Sequence, residues 1–148
     1  MSKRIPQSDV YKLQPAIARS LIGLGDAAAS ELEHALIHLV KLRASQINGC
    51  AFCQHMHANE ARKDGELQHR LDVLPAWKEV EIFSARERAA LAWTEALTLV
   101  ANEGVSDELY AATTQAFTEK ELVNLTAAIV TINAWNRIAV GFHFAPAF

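Results

Sequence analysis

The sequence predicts an all-α, single-domain protein, and three observations carry that expectation. Apolar residues recur at spacings of three and four along most of the chain, the period of an amphipathic helix. Ser or Thr stands three residues ahead of Glu at Ser30/Glu33, Ser84/Glu87 and Thr118/Glu121, the pattern of a capping box at a helix start. No run alternates apolar and polar residues as a half-buried strand would. The four prolines and six glycines are few, as expected when most of the chain is helical.

Taken in order, the first helix is expected over Asp9 to Leu24, with Pro15 tolerated as a kink or a late start because its ring removes a backbone donor. The Ser30/Glu33 box opens a long helix from Glu31 to about Ile47. Its Leu32, Leu36, Leu39, Val40 and Leu42 form an apolar stripe. Asn48-Gly49 stops that helix, since both residues tolerate left-handed backbone angles. The next helix starts at or near Cys50 and runs to about Asp64, with Gly65 as its stop. Leu67 to Phe83 is less regular, and Pro75 divides a short helix from a connector. The second box opens a helix from Ala85 to about Ala101, closed by Gly104. Ser106, Asp107 and Glu108 open a short amphipathic helix to about Phe117. The third box opens the last helix, to about Val140, where Leu122, Leu125, Ile129 and Ile132 form a core stripe and, second, a subunit contact.

A length of 148 residues fits one hydrophobic core, here expected over about residues 10–143, with no internal repeat and no low-complexity linker. Hydrophobic residues at 51% and charged residues at 21% exclude a disordered tail or a fibre. Fourteen Lys and Arg against 17 Asp and Glu leave a net charge of −3, too weak a field to steer a nucleic acid. The most apolar late stretch, Leu122 to Phe144, is broken by Asn124, Thr126, Asn133, Asn136 and Arg137, which a lipid-facing helix would not tolerate. Lys3 and Arg4 are followed by Pro6, Gln7, Ser8 and Asp9 rather than by a signal-peptide core. The expected compartment is the cytoplasm, where thiols are kept reduced.

Chemistry concentrates in one segment. The chain's two cysteines, Cys50 and Cys53, are three residues apart, and His57 follows one helical turn after Cys53. Cys50 falls at a helix N-terminus, where free N–H groups and the positive dipole end favour a thiolate. The pair can close a disulfide, so the segment holds a nucleophile, a base and a resolving thiol. Two alternatives stand beside this. Cysteine is among the most buried residue types, so both can be core residues. Cys50, Cys53 and His57 can also supply three zinc ligands, with His38 or His55 as a fourth, although no second ligand knuckle is visible.

The stretch Val40-Lys41-Leu42-Arg43-Ala44-Ser45-Gln46-Ile47-Asn48-Gly49-Cys50-Ala51-Phe52-Cys53, followed by His57, resembles the alkylhydroperoxidase AhpD-like core of the carboxymuconolactone decarboxylase superfamily. Ala89 to Leu97 and Ile132 to Arg137 are similar to it as well. The resemblance implies a helical domain assembling into trimers or hexamers, with no further cofactor and no bound metal. It implies a thiolate that attacks a hydroperoxide, a sulfenic acid trapped as a disulfide, and a dithiol or protein reductant that restores the pair. Carried onto this chain, Cys50 and Cys53 are the redox pair and His57 the proton-transfer partner. Cys53 is expected to attack, since His57 lies on its face, and Cys50 to resolve. The decarboxylase branch, acting on a lactone or ring acid, is expected to lack the cysteine pair.

Two positions depart from the family pattern. Where members carry a glutamate twelve residues before the first cysteine, this chain has His38, which can relay a proton but supplies no carboxylate. A histidine before the second cysteine is Phe52 here. Glu31, His34 and His38 fall one turn apart, as a second relay or as a solvated face. His55 is expected at the surface. Trp135 and Asn136 are candidates for the thiol pocket, Arg43 and Arg137 for ion pairs between helices or subunits, and Trp77, Trp93 and Phe83 for core or interface.

Overall fold

Pro15 divides the N-terminal segment into two helices where one was expected. The residue before a proline is pushed out of the helical region, and Gln14 lies at φ −148°, ψ 81°. Helix α1 (Gln7–Leu13) ends there. Helix α2 (Pro15–Ala29) begins with the proline in its first turn, where a missing N–H leaves no bond unmade. The computed structural model describes residues 2–148, and among the described residues every regular element is helical.

The expected Ser30/Glu33 box does not form. Ser30 stays helical at the end of α2 and its hydroxyl donates to the Ala27 carbonyl at 2.9 Å. Helix α3 (His34–Ile47) therefore starts three residues later than expected, with an extended Glu33 ahead of it. Helix α4 (Ala51–Lys63) follows, then α5 (Gln68–Val73) and a 3₁₀ helix (Leu74–Glu79) that Pro75 opens. The segment expected as one helix after Ser84 breaks at Leu99, giving α6 (Ala85–Thr98) and a single turn, α7 (Val100–Glu103). Helices α8 (Asp107–Ala116) and α9 (Glu119–Gly141) complete the chain. The capping boxes of α6 and α9 both form reciprocally, as their sequences predict.

Helix α3 is the axis of the fold, packed against α4, α6 and α9, while α2 lies along α9. Its residues therefore face apolar neighbours on several sides. Leu36, Ile37 and Val40 meet Trp93 of α6 and Leu125 and Ile129 of α9. Leu39 and Leu42 meet Leu71, Leu74, Trp77 and Phe83 on the other flank. Leu39 and Val40 have no exposed surface, and burying each such side chain stabilises the fold by roughly 1.5–3 kcal/mol. A third cluster surrounds Cys50 and Cys53, with Ala139 and Phe144. No helix among the described residues is long and apolar enough to cross a membrane.

Arg86 ties the end of the bundle together. Its guanidinium donates to the Glu33 carboxylate at 2.9 and 3.0 Å, to the Ala116 carbonyl at 2.7 Å, and to Glu121, and it lies 4.4 Å over the Phe117 ring. Its hydrogen bond, with those from the Thr118 cap, holds the Glu121 carboxyl down at about 2. Arg86→Ala is expected to cost about 2 kcal/mol and to lower the thermal midpoint by roughly 4–8 °C in calorimetry. Glu121 titrates lower folded than unfolded, so its contribution is complete above its ordinary value of 4.5 and is lost as pH falls through about 2. The stability gap between the wild type and Glu121→Gln should thus be flat above about pH 5 and close on acidification.

Candidate functional site

The α3–α4 turn sets the cysteines in place. Gly49 adopts φ +64°, a left-handed conformation open to glycine at little cost. The Cys50 amide then donates back to the Ser45 carbonyl at 3.0 Å and the Gly49 amide to Gln46 at 3.2 Å, a Schellman closure of α3. A buried amide network fixes this turn to α9. Asn48 Nδ2 donates to Asn133 Oδ1 and Asn136 Oδ1, both at 3.0 Å, and Asn136 Nδ2 donates to the Ser45 hydroxyl at 3.0 Å. Asn136 has no exposed surface, so its amide must be partnered within the protein. Its role is to hold the turn, and it does not line the thiol cavity; its neighbour Trp135 does.

Cys50 is the N-cap of α4, and its sulfur accepts the Cys53 amide at 3.2 Å. The two sulfurs are bonded in a disulfide and both residues are buried. They open on different spaces. Cys53 lines a cavity of about 280 Å³ whose walls include Tyr11, Phe52, Met56, Trp135 and Phe144. Cys50 lines a separate pocket of about 160 Å³ with Gly49, Ala51, Val140 and His143. Ala139 and Phe144 border both spaces.

His57 stands one turn after Cys53, buried, on the wall of the same cavity. Its Nδ1 lies 3.0 Å from Glu60 Oε2. A carboxylate can only accept, so Nδ1 carries the proton and Nε2 is the nitrogen left for chemistry. That hydrogen bond holds the Glu60 carboxyl below its ordinary range, helped by the nearby charges of His57, Lys41 and His38. Glu60 was not singled out from sequence, although a glutamate three residues after a helical histidine is a neighbour on its face. It sets a carboxylate beside His57, whereas position 38 carries none.

His38 lies elsewhere. Its Nε2 meets Asp64 Oδ2 at 2.5 Å, beyond the end of α4, and it is not among the residues lining the Cys53 cavity. The expected line of Glu31, His34 and His38 does not assemble, because α3 begins only at His34. Glu31 pairs with Lys120 at 2.7 Å and His34 is exposed. His55 bonds the Ala147 carbonyl and rests against Phe148, away from the sulfurs. Neither His38 nor His55 thus joins the cysteines as a ligand set, and among the described residues no group of three or more His, Cys, Asp or Glu is arranged to hold a metal. Arg43 pairs with Glu95 across helices at 3.4 Å, whereas Arg137 donates to Asn133 of its own helix.

The cavity's outer wall comes from sequence-distant segments. Tyr11 of α1 packs edge-on against Trp135 and Phe144, with ring centroids 5.9 and 6.0 Å apart, and burial pushes its phenol pKa up. Arg4 anchors the segment by donating to the Gly141 carbonyl at the end of α9 at 2.9 Å. Lys41 and Gln7 complete the lining. No periodicity in the sequence joins α1 to α4, so neither Tyr11 nor Gln7 was legible as a site residue.

The sequence and the fold both have known counterparts. The family model described as carboxymuconolactone decarboxylase matches residues 15–96. The uncharacterised protein YdfG of Bacillus subtilis is 42% identical over 141 residues, covering 95% of this chain and 94% of that one. A crystal structure of an Agrobacterium tumefaciens protein of unknown function, put forward as an antioxidant defence protein AhpD, superposes with a TM-score of 0.92 at 39% identity, covering 99% of each chain. An uncharacterised peroxidase-related protein from Silicibacter has the same fold, with a TM-score of 0.80 at 17% identity over 93% of this chain and 74% of that one.

The amide network carries its own expectation. Asn136→Ala removes the amide that joins Asn48 to Ser45, leaving Asn48 with Asn133 and Ser45 with the Lys41 carbonyl, and opens a void where a fully buried side chain stood. Chemical denaturation should show a loss of roughly 2–3 kcal/mol.

Proposed function

We propose, from the premise that the chain belongs to the carboxymuconolactone decarboxylase family, that it is a thiol-dependent hydroperoxidase working through Cys50 and Cys53. The observation that carries this is the disulfide at the start of α4, with Cys53 opening on an apolar cavity beside a histidine backed by a carboxylate. The relatives put forward as AhpD and peroxidase-related proteins support the same reading at the level of fold.

In the reduced protein, His57 Nε2 takes the Cys53 proton, and Glu60 stabilises the imidazolium through Nδ1. The Cys53 thiolate attacks the outer oxygen of the hydroperoxide and the O–O bond breaks. The departing alkoxide takes the proton from His57 and leaves as an alcohol, while Cys53 becomes a sulfenic acid. Cys50, its sulfur anion favoured by the Cys53 amide and the helix N-terminus, attacks Cys53. Hydroxide leaves with the Cys50 proton as water and the disulfide forms. One hydroperoxide is reduced and two thiols are oxidised. A dithiol then restores them.

The cavity favours this order of roles. Thiolate stability favours Cys50, but the space for a substrate lies at Cys53, and attack requires contact before it requires a good nucleophile. The apolar walls suit an organic group on the peroxide and keep water from competing. Assembly into trimers or hexamers belongs to the same proposal, since Ile17 and Ile22 of α2 and Val123 and Val130 of α9 stand uncovered on the single chain.

The test is stopped-flow consumption of an organic hydroperoxide by the reduced protein. Cys53→Ser should abolish fast consumption, whereas Cys50→Ser should still give one turnover and stop at the sulfenic acid. Glu60→Gln should slow the step by about tenfold or more while leaving the disulfide able to form. Unchanged consumption by Cys53→Ser would remove this function.

A further inference from the structure

We propose that electrons return to the disulfide from the opposite side to the hydroperoxide: an incoming dithiol attacks the Cys50 sulfur inside the second pocket, and His143 takes the attacking thiol's proton. The inference rests on the hydroperoxidase reading for why the disulfide forms in turnover, and on geometry for how it is reopened.

Displacement at a disulfide runs along the S–S axis, so the nucleophile approaches the attacked sulfur from the side away from its partner. The pocket of about 160 Å³ is lined by Cys50 and not by Cys53, so a thiol entering it meets Cys50 and not its partner, and the proposed line of attack runs through it. Gly49 and Ala51 border it, so no large side chain from the turn blocks the sulfur. A thiol using this route does not cross the aromatic wall of Tyr11, Phe52 and Trp135 that encloses Cys53. The leaving sulfur is then that of Cys53, and His57 stands in its cavity to protonate it.

His143 is the second observation. Three helices end in the same closure, in which one amide reaches back five residues. These are the amides of Cys50 to Ser45, Glu66 to Ala61, and Phe144 to Ala139. The left-handed position is Gly49 in the first and Gly65 in the second. In the third it is His143, at φ 55°, and among the described residues no other non-glycine residue has a positive φ. Glycine would meet the backbone's need with less strain. The imidazole instead lines the Cys50 pocket. The charged side chain that shares its outer surroundings is Arg4, anchored on the Val140 and Gly141 carbonyls, and no carboxylate lines either pocket at His143.

The steps balance. His143 accepts the proton of the first thiol, and the resulting thiolate bonds to Cys50 as the Cys50–Cys53 bond breaks. Cys53 leaves as a thiolate and receives a proton from solvent relayed through His57 Nε2. The reductant's second thiol releases its proton to solvent, and its thiolate attacks its own sulfur in the mixed disulfide and expels Cys50, which recovers the proton held by His143. The dithiol is oxidised to a disulfide and the protein gains two electrons and two protons.

The experiment starts from protein oxidised with diamide, so that no hydroperoxide is involved, and follows reduction by dithiothreitol through alkylation of the freed thiols. His143→Asn keeps a residue that tolerates the left-handed backbone but removes the base. Reduction should slow at least about tenfold at neutral pH, and the deficit should close as pH approaches the reductant's own thiol pKa. A deficit equal at every pH, or none, overturns the role of His143. In parallel, a brief exposure to 2-mercaptoethanol is quenched in acid and the adduct located by peptide fragmentation. The adduct is expected on Cys50, and an adduct on Cys53 overturns the route. A protein that fails to consume hydroperoxide while passing both assays would lose its proposed function and retain this path of reduction.

Discussion

The Asn48–Asn136–Ser45 amide network is the constraint on which the site depends. It joins the turn between α3 and α4 to the longest helix of the bundle through the half-buried Asn48 and the fully buried Asn136 and Ser45. Inside a protein such bonds are stronger than at the surface, and a buried amide that loses its partners is costly. The network therefore does more than stabilise. It sets the direction in which α4 leaves the turn, and so where Cys50, Cys53 and His57 point. An apolar contact in its place would hold the helices together without specifying their rotation.

Much of this arrangement was legible in the amino-acid order, and the reasons differ by element. The boxes at Ser84 and Thr118 were readable because each is a local pattern completed within one turn. The box at Ser30 has the same letters and failed, because α2 continues to that residue and engages its hydroxyl first. Pro15 was visible as a disturbance, and the choice between a kink and a new helix was settled at Gln14, which leaves the helical region. The cysteine pair with His57 was readable for the same reason as the boxes, since all three lie within two turns of one helix. Trp135 was a candidate for the thiol pocket, but it meets Tyr11 from the far end of the chain, and no spacing in the sequence brings those two to one wall.

The histidine at position 38 shows how a local expectation is redirected by a neighbouring helix. His38 was expected to relay protons where the family pattern has a glutamate on α3, and the carboxylate that bonds His57 is Glu60, within the same helix. An intrahelical pair at this spacing is positioned by backbone geometry, whereas a pair across helices depends on packing. His38, released from that task, pairs with Asp64 at the far end of α4. The disulfide, the histidine beside Cys53 and the carboxylate that bonds it thus come from eleven consecutive residues, Cys50 to Glu60.

The roof over Cys53 has a stability of its own. Helix α1 has seven residues and none of them is buried, well below the length at which an isolated helix persists in water. What keeps it in place is the Tyr11 ring between Trp135 and Phe144 and the Arg4 guanidinium on the end of α9. Parting these contacts requires a small fraction of the free energy needed to unfold the bundle, so α1 can lift as a local unit while α3, α4 and α9 stay packed. The floor beneath the sulfur is therefore held by the packed bundle and the roof by a few side-chain contacts. The cavity volume of about 280 Å³ thus describes one position of a wall built in part from a seven-residue helix.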